Sequence, residues 1–206
     1  MLNNAESVVK VLIKSILEHE QYFSELDGVV GDGDFGYSIA RGFEKVEQQW
    51  EQLDHARPGA FLKQIAGVII GSVGGVSGTI WGTAFLRAGT SLGDSPEITP
   101  PRLVAMLRAA IEGIQQRGHA DLGDKTLLDA LVPAVDQLEQ ALVAGRTSAQ
   151  ALAEAAAAAR SSAEATRGMI AKKGRAAYTA ERSIGTLDAG AVAVAVLFEA
   201  VSAAWM

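Results

Sequence analysis

Helical periodicity is the feature of this sequence that most limits its fold. Two stretches show it clearly. In each stretch, apolar residues follow the i, i+3, i+4, i+7 spacing. The first set is Val9, Leu12, Ile13 and Ile16, and the second is Leu128, Leu131, Val132 and Val135. This spacing puts apolar side chains on one face of an amphipathic helix. Further helical windows cover 35–53, 60–73, 78–90, 99–117, 148–167 and 188–204. The sequence therefore predicts about eight helices.

One segment has the alternation of a β-strand. Val192, Val194 and Val196 alternate with alanines. The high alanine content, and the lack of a second strand-like segment to pair with, favour a buried helix. No stretch is long and polar enough to link two domains, so we predict a single all-α domain over 1–206.

The composition excludes several classes of function. The chain has 206 residues, 49% of them apolar, which is enough to fill a sizeable core. Its 18 basic and 24 acidic residues give a net charge of −6 without a long cationic run, so we expect no nucleic-acid partner. The absence of cysteine removes disulfides, thiolate metal sites and cysteine nucleophiles.

The sequence also predicts a cytoplasmic protein that does not enter a membrane. The segment 1–11 carries Glu6 and Lys10 and lacks the apolar region of a signal peptide. The longest apolar stretch, 189–198, stops at Glu199, whereas a membrane span needs about 20 residues. A chain without cysteine fits a reducing compartment.

The first cluster of chemically active residues is an acidic loop. Asp27, Asp32 and Asp34 lie within eight residues of one another, interleaved with glycines that let the backbone fold tightly. The three carboxylates would repel one another, and a divalent cation would relieve that repulsion. Magnesium is commonly held by a few carboxylates together with substrate phosphates. A solvated acidic turn is the alternative interpretation.

A second glycine-rich loop, 71–79, stands between two predicted helices. Its bare backbone N–H groups, with the hydroxyls of Ser77 and Thr79, would suit a phosphate group at a helix N-terminus. A close helix–helix crossing would also require glycine here, and both interpretations stay open.

Further along the chain, Lys172, Lys173 and Arg175 form a dense positive run in an acidic protein. Such cations would suit the outer side of bound phosphates, although a solvated loop would look the same. Asp188 is predicted to cap the last helix, with a ligand's sugar hydroxyls as a second role. The isolated His19, His55 and His119 fit no metal-ligand spacing and are expected at the surface.

Taken in order, these segments resemble the DhaL family, the nucleotide-binding L subunits of the dihydroxyacetone kinases. The matching stretches are 31–34, 74–78 with 82–87, 123–126 with 129–133, and 173–175 through 181–185. The resemblance covers nearly the whole chain.

The resemblance implies a barrel of eight antiparallel helices whose loops at one end bind ADP or ATP through two magnesium ions. By position, the implied magnesium ligands are Asp27, Asp32 and Asp34. The implied phosphate contacts are Phe35, Gly36, Tyr37, Ser38, Val76 and Ser77, with Arg175 as the catalytic side chain that meets the phosphates. The implied base and ribose pocket consists of Gly118, Leu127, Asp188, Ala189 and Gly190.

The resemblance further implies a phosphotransferase that acts only with a partner. In the family, the phosphoryl group goes to a hydroxyl of a small ketose held by a separate, DhaK-like subunit. The donor is either free ATP or a tightly held ADP that a DhaM-like relay protein of the phosphotransferase system rephosphorylates. A homodimer is an additional option. The rival interpretation is a non-catalytic nucleotide-sensing module that docks on a regulator.

Two residues depart from the family pattern. Phe35 stands where many members have histidine, so any contact made by that imidazole is lost here. Ala189 stands where proline is frequent, which should loosen the loop slightly.

Overall fold

The computed structural model describes residues 4–205, so residues 1–3 and 206 of the predicted domain lie outside the described residues. Within that range the chain folds into α-helices and short 3₁₀ turns, with no strand. The helices are α1 (Ala5–Glu18), α2 (Glu20–Gly28), α3 (Phe35–Gln48), α4 (Pro58–Ser72), α5 (Gly75–Leu92), α6 (Pro100–Gly118), α7 (Leu128–Val143), α8 (Ser148–Ala165) and α9 (Ala189–Trp205).

The predicted apolar stripes face the core. In α1, Val9, Ile13 and Ile16 are buried, and the side chain of Asn4 caps the helix by accepting the Ser7 N–H at 2.8 Å. In α7, the buried residues include both ends of the predicted stripe, Leu128 and Val135. The periodicity therefore identified both helices and their buried faces.

The strand-like segment is a helix, as predicted. The first half of α9 is buried around nearly its whole circumference, because both its valines and its alanines are inaccessible to solvent. It packs against α1, α2, α7 and α8. A helix surrounded on all sides has no polar face, which explains why its sequence lacks helical periodicity.

The remaining helices pack mainly against their neighbours in sequence, and α1 packs against α9 to close the barrel. Neighbouring helices in such a bundle run antiparallel. The α8–α9 connection is long, but its Arg175 contacts Asp32 and its Lys172 contacts Asp124, so it lies beside the α2–α3 and α6–α7 connections. The connections α2–α3, α4–α5, α6–α7 and α8–α9 therefore lie at one end. Residues 4–205 form one α-helix more than the eight predicted, because the helical run breaks at His19 between α1 and α2. No helix within residues 4–205 has the length and apolar character that crossing a bilayer requires.

Two of the three histidines, His19 and His55, are only partly exposed, whereas all three were expected at the surface. The ring of His55 packs against Trp50 and Phe61, with centroid distances of 5.3 and 5.2 Å, and its Nε2 lies 2.8 Å from the Trp50 carbonyl oxygen. His119 is exposed and His19 is partly buried. The aromatic cluster around His55 stabilises the α3–α4 connection, at the other end of the barrel.

Candidate functional site

Three carboxylates converge in the α2–α3 connection. Asp27 lies in the last turn of α2, Asp32 in the connection, and Asp34 immediately before α3. Each offers an oxygen atom, and these three atoms all lie within 4.8 Å of one another. Asp32 and Asp34 are exposed, whereas Asp27 is half-buried. This donor set of hard oxygens matches the preference of magnesium.

Two glycines shape this loop. Gly33 has φ +75°, a conformation that side chains rarely adopt. A Cβ atom on Gly31 would lie 2.2 Å from Oδ1 of Asp27, so any larger residue would displace that carboxylate. The glycine interleaving noted in the sequence is therefore a steric requirement for the position of Asp27.

The environment of Asp27 favours a cation. Burial raises the pKa of the Asp27 carboxyl, and the charges of Asp32 and Asp34 raise it further, while the N–H of Phe35, 3.4 Å from Oδ2, lowers it. Both effects that raise the pKa measure the cost of holding negative charge without a counter-ion. A divalent cation would remove that cost.

The positive run seen in the sequence divides between two acidic partners. It belongs to residues 169–186, which we call the basic loop. Nη1 of Arg175 lies 2.8 Å from Oδ2 of Asp32 and 3.4 Å from Oδ2 of Asp34. Lys172 and Lys173 instead pair with the carboxylate of Asp124, at 3.3 and 3.9 Å. Of these three cations, Arg175 alone contacts the carboxylate cluster.

The first turn of α3 uses much of its backbone within the protein. The N–H of Tyr37 donates to Oγ of Ser24 at 3.2 Å, and the N–H of Ser38 donates to the Asp34 carbonyl at 2.8 Å. Gly36 is buried, because α3 approaches α2 so closely that a Cβ would lie 2.0 Å from the Glu20 carbonyl oxygen. Ser38 is half-buried, and with its N–H used within the protein it could offer a ligand only its hydroxyl.

The ring of Phe35 is directed toward the protein. Its centroid lies 6.2 Å from that of Phe23, a fully buried residue of α2. Phe35 therefore adds packing between α2 and α3.

The glycines of the second glycine loop fall into two groups. A Cβ on Gly78 would lie 2.2 Å from the Val73 carbonyl oxygen, so this glycine is required by the close α4–α5 turn. Gly74 and Gly75 have no atom within 4 Å of such a Cβ, and Gly75, with φ +71°, begins α5 without a side-chain cap. Their open backbone has no packing explanation, and it leaves N–H groups free for an anion.

The side chains at the start of α5 differ in how freely they could contact a ligand. Val76 is 69% exposed and Ser77 is half-buried. The hydroxyl of Thr79 donates to the Val76 carbonyl at 2.8 Å, so it is not the phosphate donor that the sequence suggested. Ser77 remains a candidate.

Of the residues implied as a base and ribose pocket, Leu127, Asp188 and Gly190 lie together. A Cβ on Gly190 would lie 3.2 Å from that of Leu127, so the α6–α7 connection touches the first turn of α9. Gly118, at the end of α6, faces Ile80 of α5. Asp188 caps α9 as predicted, since its Oδ1 accepts the Ala191 N–H at 2.7 Å.

Among the site residues, the carboxyl of Asp188 has the most strongly shifted pKa. Burial raises the pKa of its carboxyl to about 7, partly offset by the hydrogen bond from Ala191. A carboxyl that is easily protonated can donate as well as accept a hydrogen bond, which suits a neighbouring sugar hydroxyl.

Sequence reasoning missed two buried charged residues next to these loops. Asp129 accepts the N–H groups of Gly123 at 2.6 Å and Thr126 at 2.7 Å. Lys125 is 2% exposed. The Thr126-x-x-Asp129 spacing is that of a capping box and could have predicted the role of Asp129. The sequence gives no comparable signal for the burial of Lys125.

Comparison with known protein families shows which family this chain belongs to. Residues 29–203 match the DAK2 domain. The chain belongs to the DAK2 domain family. Among its DAK2 relatives is the ADP-binding subunit DhaL of the PEP-dependent dihydroxyacetone kinase of Escherichia coli, 38% identical over 174 residues, which are 84% of this chain and 83% of that protein. The L-erythrulose kinase of Pectobacterium atrosepticum is 37% identical over 190 residues, which are 91% of this chain and 32% of that enzyme.

Two solved structures of a related kinase have the same fold. The dihydroxyacetone kinase of C. freundii superposes with a TM-score of 0.78 at 26% identity, covering 98% of this chain and 35% of that enzyme. Its complex with AMP-PNP and Mg²⁺ gives a TM-score of 0.77 at 25% identity, with coverages of 99% and 35%. The predicted helical barrel is confirmed, and it corresponds to one part of that longer kinase.

Proposed function

We propose that this chain is the nucleotide-binding subunit of a dihydroxyacetone-type kinase. It would transfer a phosphoryl group to a hydroxyl of a small ketose held by a separate DhaK-like subunit. The observation that carries the proposal is the convergence of Asp27, Asp32 and Asp34 beside Arg175 in a DAK2 domain. Relatives named as ADP-binding subunits and a related kinase with AMP-PNP and Mg²⁺ support it.

The carboxylate cluster would hold the metal. Its three oxygen donors fit Mg²⁺, and three carboxylates are enough to share between two ions. When bound, magnesium neutralises phosphate charge and so lowers the barrier to phosphoryl transfer. The burial of Asp27 and the mutual repulsion of the cluster favour uptake of the cation.

Other residues would bind and orient the nucleotide. Arg175 is exposed and has five N–H donors, so it can contact phosphate oxygens at the edge of the cluster. The open backbone at Gly74 and Gly75, with Ser77 beside it, suits a phosphate group. Val76 and the first turn of α3, Phe35 to Ser38, would complete the phosphate side.

The base and ribose would lie between the α6–α7 connection and α9. Leu127 is partly buried and would offer apolar surface for the base, with Gly190 packed closely against it. Gly118, at the end of α6, would complete this side of the pocket. Asp188, which precedes Ala189, would meet the ribose hydroxyls. This arrangement supplies positioning and charge stabilisation, which are the main requirements of phosphoryl transfer.

The acceptor would come with another protein. The residues that we propose for metal and nucleotide binding lie at one end of the single helical domain, and we assign the ketose to a DhaK-like partner. Either ATP or a DhaM-like relay protein would supply the phosphoryl group, and a homodimer is compatible with both. A chain free of cysteine suits activity in the cytoplasm.

Reconstitution with a DhaK-like subunit and dihydroxyacetone tests the proposal. One arm supplies ATP, and the other supplies phosphoenolpyruvate with the relay proteins. We expect one donor to support ketose phosphorylation, and Asp32→Asn to lower the rate by about 100-fold or more because it removes a metal ligand. Asp94→Asn, an exposed aspartate at the other end of the barrel, is the matched control.

The same variant and the two donors also distinguish the kinase proposal from the rival interpretation. A non-catalytic nucleotide-sensing module would support transfer with neither donor, and Asp32→Asn would leave its docking to a partner unchanged. Failure of both donors with every DhaK-like partner tried would therefore refute the kinase proposal.

A further inference from the structure

A buried lysine lies directly beneath the basic loop. Lys125 belongs to the α6–α7 connection, and its side chain is almost completely inaccessible to solvent. Its Nζ donates to the carbonyl oxygens of Ser183 at 2.5 Å, Thr186 at 2.8 Å and Met169 at 3.2 Å, and it lies 3.2 Å from Oγ1 of Thr186. All four acceptors are uncharged.

These contacts join the two ends of the basic loop. Met169 stands at its start, and Ser183 and Thr186 stand at its end, so one ammonium group closes the base of a segment whose outer part carries Arg175. Within the loop, the N–H of Ala171 donates to Oγ of Ser183 at 2.9 Å. The loop contains only 3₁₀ turns between α8 and α9, so it has little regular structure of its own to fix its shape.

Lys125 has an unfavourable backbone conformation and a buried charge, and its contacts with the basic loop compensate for both. Lys125 has φ +61°, in the left-handed region that residues with side chains rarely adopt. Burial without a carboxylate in contact lowers the pKa of its ammonium group, and a buried charge needs all its hydrogen bonds satisfied. The three carbonyl groups and the hydroxyl satisfy them.

We propose that Lys125 is a positioning residue for phosphoryl transfer: it closes the base of the basic loop and thereby holds Arg175 over Asp32 and Asp34. The inference rests on the proposed function for the step in which Arg175 meets the nucleotide. Lys125 itself lies below the loop and acts through Arg175.

The structural part of the proposal is tested by hydrogen exchange on the full chain. Lys125→Met keeps the aliphatic stem and removes every donor. We expect the amides of residues 171–185 to exchange at least about tenfold faster, while those of α4 and α5 keep their protection. The matched control is Lys14→Met, whose ammonium is on the solvent-exposed face of α1. Unchanged exchange in the basic loop would overturn the proposal.

A second variant applies if Lys125→Met does not fold. Thr186→Val removes one acceptor and preserves the shape of the side chain. It should raise exchange in the same residues by a smaller factor. Uniform loss of protection across the barrel in this variant would indicate a general structural role and would overturn the proposal.

The functional part is tested by a double-mutant cycle on MgADP affinity. We expect Lys125→Met to weaken binding about tenfold, equivalent to about 1.4 kcal/mol. In an Arg175→Gln background the same change should have an effect of less than about twofold, because the residue through which it acts is already gone. A full tenfold effect in both backgrounds would refute the link to Arg175.

The affinity for Mn²⁺ without nucleotide serves as a control for general loss of structure, because unfolding would lower it. The three aspartates are positioned by α2 and α3, so Lys125→Met should leave that affinity undiminished. If the unmodified chain bound no MgADP, the proposed function would fail, whereas hydrogen exchange would still decide whether Lys125 closes the loop.

Discussion

Replacement of Gly31 by alanine should remove Asp27 from the metal site. The added Cβ would lie 2.2 Å from Oδ1, 2.8 Å from Cγ and 2.9 Å from the backbone oxygen of Asp27. Ordinary contacts of this kind begin at 3.4 Å, so the carboxylate must move by about 1 Å. Metal sites tolerate changes in ligand distance of only about 0.2 Å. Asp27 would therefore no longer be within coordination distance.

The expected loss in Mn²⁺ affinity is about 10- to 100-fold, the range found when the groups that orient metal ligands are changed. The substitution should also lower the free energy of unfolding by about 1–3 kcal/mol, because it overpacks the turn. Titration of Mn²⁺ followed by electron paramagnetic resonance measures the first quantity, and urea unfolding measures the second.

The same loop offers a matched control. A Cβ on Gly28 would have its nearest neighbour at 3.8 Å, an ordinary contact with Gly33. Gly28→Ala should therefore bind Mn²⁺ like the unmodified protein. If Gly31→Ala stayed folded and also bound Mn²⁺ normally, the reasoning that places Asp27 among the metal ligands would be refuted.

Two further predictions follow from contacts and charge. Gly78→Ala should lower the free energy of unfolding by about 1–3 kcal/mol, because its Cβ would meet the Val73 carbonyl. Gly74→Ala, in open space, should leave stability unchanged but weaken ADP binding, and equal unfolding midpoints for both variants would contradict this distinction. Because the pKa of Asp188 rises from 3.8 to about 7 on folding, the folded state holds its proton more tightly, and the stability that this group contributes at low pH is lost between about pH 4 and 7. Asp188→Asn cannot titrate, so its stability relative to the unmodified protein should increase with pH over that window in urea unfolding, and a constant difference would be inconsistent with the assignment.

Features that depend on nearby residues could be predicted from the sequence. The stripe that begins at Val9 identifies the buried face of α1, and the spacing of Asp27, Asp32 and Asp34 indicates that they can meet. Both depend on residues separated by at most two helical turns. Local patterns of this kind carry most of the information in a single sequence.

Features that depend on distant residues could not be predicted. Lys125 reaches Ser183, which is 58 positions further along the chain, and no periodicity records such a contact. Some local contacts were equally hidden. Gly78 meets the Val73 carbonyl only five positions away, whereas Gly74 faces open space, and residue types alone do not record this backbone geometry. At His19 the backbone leaves helical geometry, with φ −109° and ψ 10°, although helical residues stand on both sides.

The central claim is that the carboxylate cluster binds the nucleotide through a divalent cation. Calorimetric titration of ADP into the full chain, once with Mg²⁺ and once with EDTA, tests it most directly. Removing the metal should weaken ADP binding by about 100-fold or more, equivalent to about 2.7 kcal/mol. Equal affinity with Mg²⁺ and with EDTA would contradict the account.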